Sequence, residues 1–116
     1  MRIKKKTTST NLLIGNFLKK KRQAAKLTQK DVAKSLGLAT TQMIVNIESG
    51  RAAAPIETLK RLTDLYGVDK DEMYNSILGY YYTGFQQSFK EAFYSEPPTP
   101  PPKSGVKKSA RPNNNQ

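Results

Sequence analysis

The stretch from Leu27 to Pro55, LTQKDVAKSLGLATTQMIVNIESGRAAAP, constrains the fold more than any other part of the chain. It holds two short segments of helical apolar periodicity, separated by Gly37 and closed by Gly50 and a following proline, so it reads as two helices joined by a tight turn. Thr28 followed by Asp31 is a capping box with Asp in place of the usual Glu or Gln, which starts the first of these helices at Gln29. That helix is expected to run to about Leu36, with Val32, Ala33 and Leu36 as its apolar stripe. The second is expected from about Thr40 to Ser49. Placed around a 3.6-residue turn, Met43, Ile44 and Ile47 point inward, and Thr41, Gln42, Val45, Asn46 and Ser49 point outward.

The outward arc carries no charge, whereas a solvent-facing helix surface ordinarily carries Lys, Glu and Arg. Gln and Asn can each give a donor and an acceptor to one adenine edge, and Thr or Val can meet a thymine methyl. Thr41, Gln42, Val45 and Asn46 are therefore the candidate base contacts, against the plainer explanation of a polar surface on a small helical domain. Gln29 sits at a first helical position with its side chain expected to be free, where backbone N–H groups also point outward and a phosphate can be held. Arg51 and the N–H groups around it are expected to face the same backbone. With Lys26 and Thr40 they complete the candidate backbone contacts.

The run LTQKDVAKSLG, then QMIVNIESGR with a following proline, resembles the DNA-binding domain shared by Cro, phage repressors and the xenobiotic-response-element regulators of bacteria. The resemblance covers about residues 11–78 and rests on the order of Gln29, Ala33, Gly37, Ile44, Glu48, Gly50 and Pro55. It implies an all-α, five-helix lambda-repressor-like helix-turn-helix domain whose helix at about 40–49 enters the major groove. It also implies that Gln29 touches the DNA backbone, that Thr41, Gln42 and Asn46 touch bases, and that Arg22 pairs with Glu48 inside the domain. Gly37 to Gly50 is one residue longer than the commonest spacing in the family, so the turn should be a little wider.

Charge supports the same half of the chain. The formal net charge of +11 divides into +10 for residues 1–51, −2 for 52–95 and +3 for 96–116. The basic half is the half with the proposed groove helix, which is the electrostatic footprint of a nucleic-acid binder. Residues 1–10, MRIKKKTTST, are expected to be a disordered basic arm, able to track phosphates or simply solvated.

At 116 residues the chain has room for one small domain with flexible ends. It has no cysteine and no histidine, which removes disulfides, a thiol nucleophile and the commonest metal ligands. Its carboxylates are scattered and no phosphate-cradling glycine loop is present, so the reading is not an enzyme, with no cofactor and no metal. No apolar run is long enough to cross a bilayer, and TTSTN rather than an apolar core follows the basic start. The expectation is a soluble, unexported protein of the cytoplasm, associated with the nucleoid.

The first helix is expected to begin after Thr10 or Asn11 and run to about Ala25, with Leu13, Ile14, Phe17, Leu18, Ala24 and Ala25 inward. Lys21 interrupts that face, its stem expected along the core and its ammonium in solvent. Arg22 lies at the stripe's edge, and a buried arginine needs a partner, for which Glu48 is the candidate. After Gly50, a helix is expected from about Ile56 to Tyr66 with Ile56, Leu59, Leu62, Thr63 and Tyr66 inward and Gly67 as its stop. Asp69 and Glu72 signal the start of a last helix.

That last helix is expected to reach about Phe93, jointed or not near Gly79 or Gly84, with residues 79–95 an aromatic extension of the domain at 11–78. Tyr74, Ile77, Leu78, Tyr81, Phe85, Phe89, Ala92 and Phe93 fall on one face. Such a stripe must be covered, either by a second copy, making Tyr81, Phe85, Phe89 and Phe93 the dimerisation residues, or by folding back at Gly84 as a sixth helix. From residue 96 the chain turns proline-rich, basic and then Asn-rich, a disordered tail that serves as a spacer or as a ligand for a protein partner with an aromatic groove.

The function expected is a sequence-specific regulator of transcription that binds double-stranded DNA as a homodimer. Two rivals remain open. One is a helix-turn-helix adapter that binds protein through the same face, which Val45 at its centre would suit. The other is the antitoxin of a toxin pair, with the aromatic second half holding the toxin.

Overall fold

A computed structural model describes residues 9–96. The expected basic arm and proline-rich tail lie, but for a few residues, outside them. Five helices follow one another without a strand among the described residues: α1 (Ser9–Ala24), α2 (Gln29–Ser35), α3 (Gln42–Glu48), α4 (Ile56–Tyr66) and α5 (Lys70–Tyr94). The fold is the all-α helix-turn-helix architecture that the sequence implied. α1 takes up Ser9 and Thr10, two residues counted above with the arm.

Four of the chain's helix ends close in the same way. After each of α1 to α4 one residue turns left-handed, and the N–H of the next residue reaches back five positions: Leu27 to Arg22, Leu38 to Ala33, Arg51 to Asn46 and Val68 to Thr63. The left-handed residue is glycine at Gly37, Gly50 and Gly67, where no Cβ opposes it. After α1 it is Lys26, with φ of 65°, the sole non-glycine with positive φ among the described residues.

The helix starts are equally local. Thr28 Oγ1 accepts from the Asp31 N–H at 3.0 Å while Asp31 Oδ2 accepts from the Thr28 N–H at 2.9 Å, so the capping box is complete with Asp in the acidic position. These bonds, that from the Thr28 backbone first, hold the Asp31 carboxyl below the usual aspartate range. A depressed folded-state pKa gives stability that is present above the unfolded value, near 3.9, and is lost as pH falls through the folded one. Asp31→Asn should therefore be less stable than the parent at neutral pH, and the difference should shrink as pH drops below about 4. Thermal melts of both proteins from pH 7 to pH 2 check this; a gap that stayed constant would show that the carboxylate charge contributes nothing.

α1 is the central strut, packed against α3 and α5. Ile14 and Leu18 are buried from α1, Val32 from α2, Ile44 and Ile47 from α3, Leu62 and Tyr66 from α4, and Met73 and Ile77 from α5. Several inward assignments need correction. Leu13 and Ala24 are exposed, and Ile56, at the first position of α4, is 74% exposed while Thr58 is buried in its stead. Lys21 does lie along the domain, but its ammonium is paired: Nζ donates to Glu72 Oε2 at 2.6 Å and sits 5.6 Å from the Phe17 ring centre. The ion pair ties the end of α1 to the start of α5.

α5 is one unbroken helix of 25 residues, without a joint at Gly79 or Gly84. At 1.5 Å per residue it is about 37 Å long. Asp69 caps it, accepting from the N–H groups of Asp71 and Glu72. Its packed face is Met73, Ile77 and Tyr80, the Tyr80 ring meeting Phe17 edge-on at 5.8 Å, so the domain's packing continues past Leu78. At Gly84 the helix passes so close to the Thr10 hydroxyl that a Cβ there would overlap it. Tyr74, Leu78, Tyr81, Phe85, Phe89 and Phe93 are all exposed, and the alternative in which the segment folds back at Gly84 does not occur.

Candidate nucleic-acid interface

α3 is held from behind by a buried polar cluster. Arg22 on α1 and Glu48 at the end of α3 are 8% and 6% exposed. Arg22 Nε donates to Glu48 Oε2 at 2.7 Å and Nη2 to Oε1 at 3.1 Å, the two-pronged geometry that fits a guanidinium to a carboxylate. Its Nη1 donates to the Leu27 carbonyl at 2.7 Å, so the same side chain also fixes the loop leading into α2. The hydrogen bond to Glu48 holds the guanidinium even more firmly protonated than usual, burial opposing it. Burial, followed by the Glu48 charge, pushes the nearby Tyr66 phenol well above its ordinary value.

Gln29 joins this cluster. Its Nε2 donates to Glu48 Oε1 at 3.0 Å, so the side chain is turned in to Glu48 rather than free at the start of α2. The reason is electrostatic: Glu48 still has acceptor capacity after binding Arg22, and a half-buried amide is the nearest donor. Glu48 thus ties α1, α2 and α3 together in one cluster.

The outward face of α3 is shorter than its sequence suggested. Thr40 and Thr41 precede the helix in a bend, where Thr40 Oγ1 accepts from the Gln42 N–H at 3.2 Å and Thr41 holds the N-cap position without a side-chain cap bond. Ser49 follows the helix, its hydroxyl donating to the Asn46 carbonyl at 3.2 Å. On the helix, Gln42 and Asn46 lie one turn apart and are bonded to each other, Gln42 Nε2 donating to Asn46 Oδ1 at 3.0 Å. Val45 lies beside them, half-buried. The amide pair leaves Gln42 Oε1 to accept from, and Asn46 Nδ2 to donate to, a further partner.

The remaining candidates are placed unequally. The side chains of Lys26 and Arg51 are exposed. The N–H groups of Arg51 and Ala52, expected to face a phosphate, are both spent on the Asn46 carbonyl, at 2.9 and 3.2 Å, closing α3. Residues 1–51 contain only two carboxylates, Asp31 and Glu48, and both are bound internally. Of these only Asp31 is exposed, and its charge acts on Lys34, so the exposed Lys26, Lys30, Lys34 and Arg51 outnumber the exposed carboxylates of residues 1–51 by four to one.

The helix-turn-helix family model matches residues 18–73. Over those residues the chain is a helix-turn-helix domain of the lambda-repressor-like kind. The match begins within α1, takes in α2 and α3 whole and ends at Met73 on α5. The family is one of DNA-binding regulators. No curated protein and no solved structure gives a match to the chain. Among the described residues no helix is long and apolar enough to cross a membrane, and no cluster of acidic side chains could hold a metal ion.

Sequence reasoning missed one residue, Gly15, and two arrangements of residues it had named. Gly15, inside α1, lies against the last carbonyls of α3; a glycine kept in a helix interior is the signal that marks it. The link from Gln29 to Glu48 has no local signal. Lys26 at a left-handed position is visible once a helix end at Ala24 or Ala25 is known, because glycine or asparagine is what that position usually holds.

Proposed function

We propose that the protein is a sequence-specific regulator of transcription in the cytoplasm, acting on nucleoid DNA as a homodimer, with α3 of each copy in the major groove of one half-site. The observation that carries the reading is the bonded Gln42–Asn46 amide pair on an uncharged face, in a half of the chain with a net charge of +10 and one of its two carboxylates buried against Arg22. Thr41, Gln42, Val45 and Asn46 are its base contacts. Lys26, Thr40 and Arg51 contact the backbone by their side chains, and Gln29 does so only with the part of its amide that Glu48 leaves over.

Lys26 strengthens the assignment. A left-handed conformation costs an L-residue roughly 1–2 kcal/mol, and the other three equivalent positions are glycine. A lysine held there is accounted for by a use for its charge. The homodimer rests on the exposed aromatic face of α5 at Tyr81, Phe85, Phe89 and Phe93, and the proline-rich tail serves as a spacer or a site for a protein partner.

Selection of bound duplexes from a random pool should yield a two-fold symmetric motif. On that motif Gln42→Ala and Asn46→Ala should each lose about 1–3 kcal/mol of binding while sparing random DNA. Lys26→Ala and Arg51→Ala should weaken binding to both alike and flatten the fall of log affinity with log salt. Equal loss on motif and random DNA for Gln42→Ala and Asn46→Ala would remove α3 from the groove. No binding to any duplex at low salt would leave the same face to a protein partner.

A further inference from the structure

The aromatic end of α5 is one half of a self-complementary surface, and the other half lies on the same chain. Phe85, Phe89 and Phe93 stand one turn apart with their rings stacked at 5.8 and 5.7 Å, and are 68%, 57% and 68% exposed. One turn before Phe85 the same side of α5 forms the wall of a groove of about 890 Å³ against α4, lined by Ile56, Leu59, Tyr74, Leu78 and Tyr81. The helix thus carries a projecting apolar ridge and an open apolar groove end to end.

From this we infer that two copies associate with their α5 helices antiparallel, the Phe85–Phe89–Phe93 ridge of each seated on the α4–α5 groove of the other. The inference rests on the dimeric reading above and says where and how the copies meet. Turning α5 through a two-fold axis near Thr83 and Gly84 brings Phe85 opposite Tyr81, Phe89 opposite Leu78 and Phe93 opposite Tyr74. Ridge and groove then match residue for residue on both sides, which is the self-complementarity a two-fold contact requires.

Three observations name a second copy as the occupant. Ridge and groove together expose on the order of 800 Å² of apolar side chain, more than the largest patch of an ordinary monomer and about what one partner gives to a stable interface. Charge allows it: residues 52–95 carry −2, whereas two +11 chains meeting through residues 1–51 would bring their +10 halves together. Met73 and Ile77 are the buried floor of the groove, and the side of α5 that packs on α1, with Tyr80 against Phe17 and Gly84 against Thr10, lies roughly 100° or more around the helix from the ridge, so a partner on the ridge and groove displaces nothing.

The absence of native cysteine makes the register testable. The full chain should sediment as a dimer without DNA at micromolar concentration, with a melting temperature that rises with protein concentration, and Phe89→Glu as a folded monomer that still melts cooperatively but at a temperature independent of concentration, since Phe89 touches nothing in the core. Leu78→Cys and Phe89→Cys proteins, mixed and oxidised with diamide, should cross-link to each other, and Phe89→Cys alone should not. Self-cross-linking of Phe89→Cys would replace ridge-on-groove with ridge-on-ridge, and a monomeric full chain would show that its own tail, a small molecule or a different protein covers the face. Either result overturns the interface. Because none of these readouts involves DNA, its failure is separate from failure of the groove reading by α3.

Discussion

Glu48→Ala should unfold the domain or leave it on the edge of unfolding. The carboxylate accepts from Arg22 twice and from Gln29 once, and nothing else among its hydrogen bonds replaces it. Its loss strands a guanidinium that is 8% exposed, and breaking a buried pair by removing one partner costs roughly 3–5 kcal/mol. A domain of this size has about 5–15 kcal/mol in total. Calorimetry or a urea titration should show a midpoint far below the parent's. The double change Arg22→Met with Glu48→Leu removes both charges and should recover much of the stability, because an apolar pair of similar volume needs no desolvation. A variant Glu48→Ala that melts with the parent would mean the pair contributes nothing net. The double variant should still bind DNA less well than the parent, since Gln29 loses the acceptor that positions it.

The parts of this fold legible in the sequence are those governed by neighbours along the chain. Thr28 with Asp31, Gly37, Gly50, Gly67 and Asp69 set helix ends through bonds spanning two to five residues, and α4 has the bounds its periodicity suggested. Elsewhere the deciding contacts are distant. α3 starts only at Gln42, with Thr41 as an N-cap that makes no side-chain bond and Thr40 before the helix, its hydroxyl accepting from the Gln42 N–H. The apolarity of Ile56 points it inward, but the first residue of α4 is exposed at the groove that α4 forms with α5.

α5 shows most clearly what periodicity leaves open. Its apolar residues cover two adjoining sides, Met73, Ile77 and Tyr80 on one and Tyr74, Leu78, Tyr81 and Phe85 on the other. A projection merges them into one broad stripe, in which Ile77 is buried and its neighbours Tyr74 and Leu78 are not. The choice between the two sides is made by Phe17 and Thr10 on α1, far away in sequence. For the candidate site the same division holds. The uncharged outward arc of α3 is a local pattern, whereas the inward turn of Gln29 depends on a carboxylate nineteen positions later.

Gly15→Val should disable the domain at the point where fold and function meet. Gly15 is buried in the middle of α1, and a Cβ built there would lie 2.6 Å from the Glu48 carbonyl oxygen and closer still to that of Ile47. Both obstacles are backbone, and they are the last carbonyls of α3, so no side chain can rotate away. The two helices must separate, and overpacking of this kind costs roughly 1–3 kcal/mol, with a β-branched residue against backbone at the upper end or beyond it. Separation also lengthens the reach from Arg22 to Glu48, because α1 carries one and α3 the other. Gly15→Ala should therefore lower the melting temperature clearly and Gly15→Val by more, and Gly15→Ala should weaken binding to a selected site more than to random DNA, since a shifted α3 misplaces Gln42 and Asn46 but leaves the basic surface as it was. Thermal melts with paired affinities on the two duplexes would check both parts. A Gly15→Ala protein with the parent's stability would show that α1 and α3 can part without cost, and then the close approach at Gly15 would not be what sets the angle at which α3 is presented.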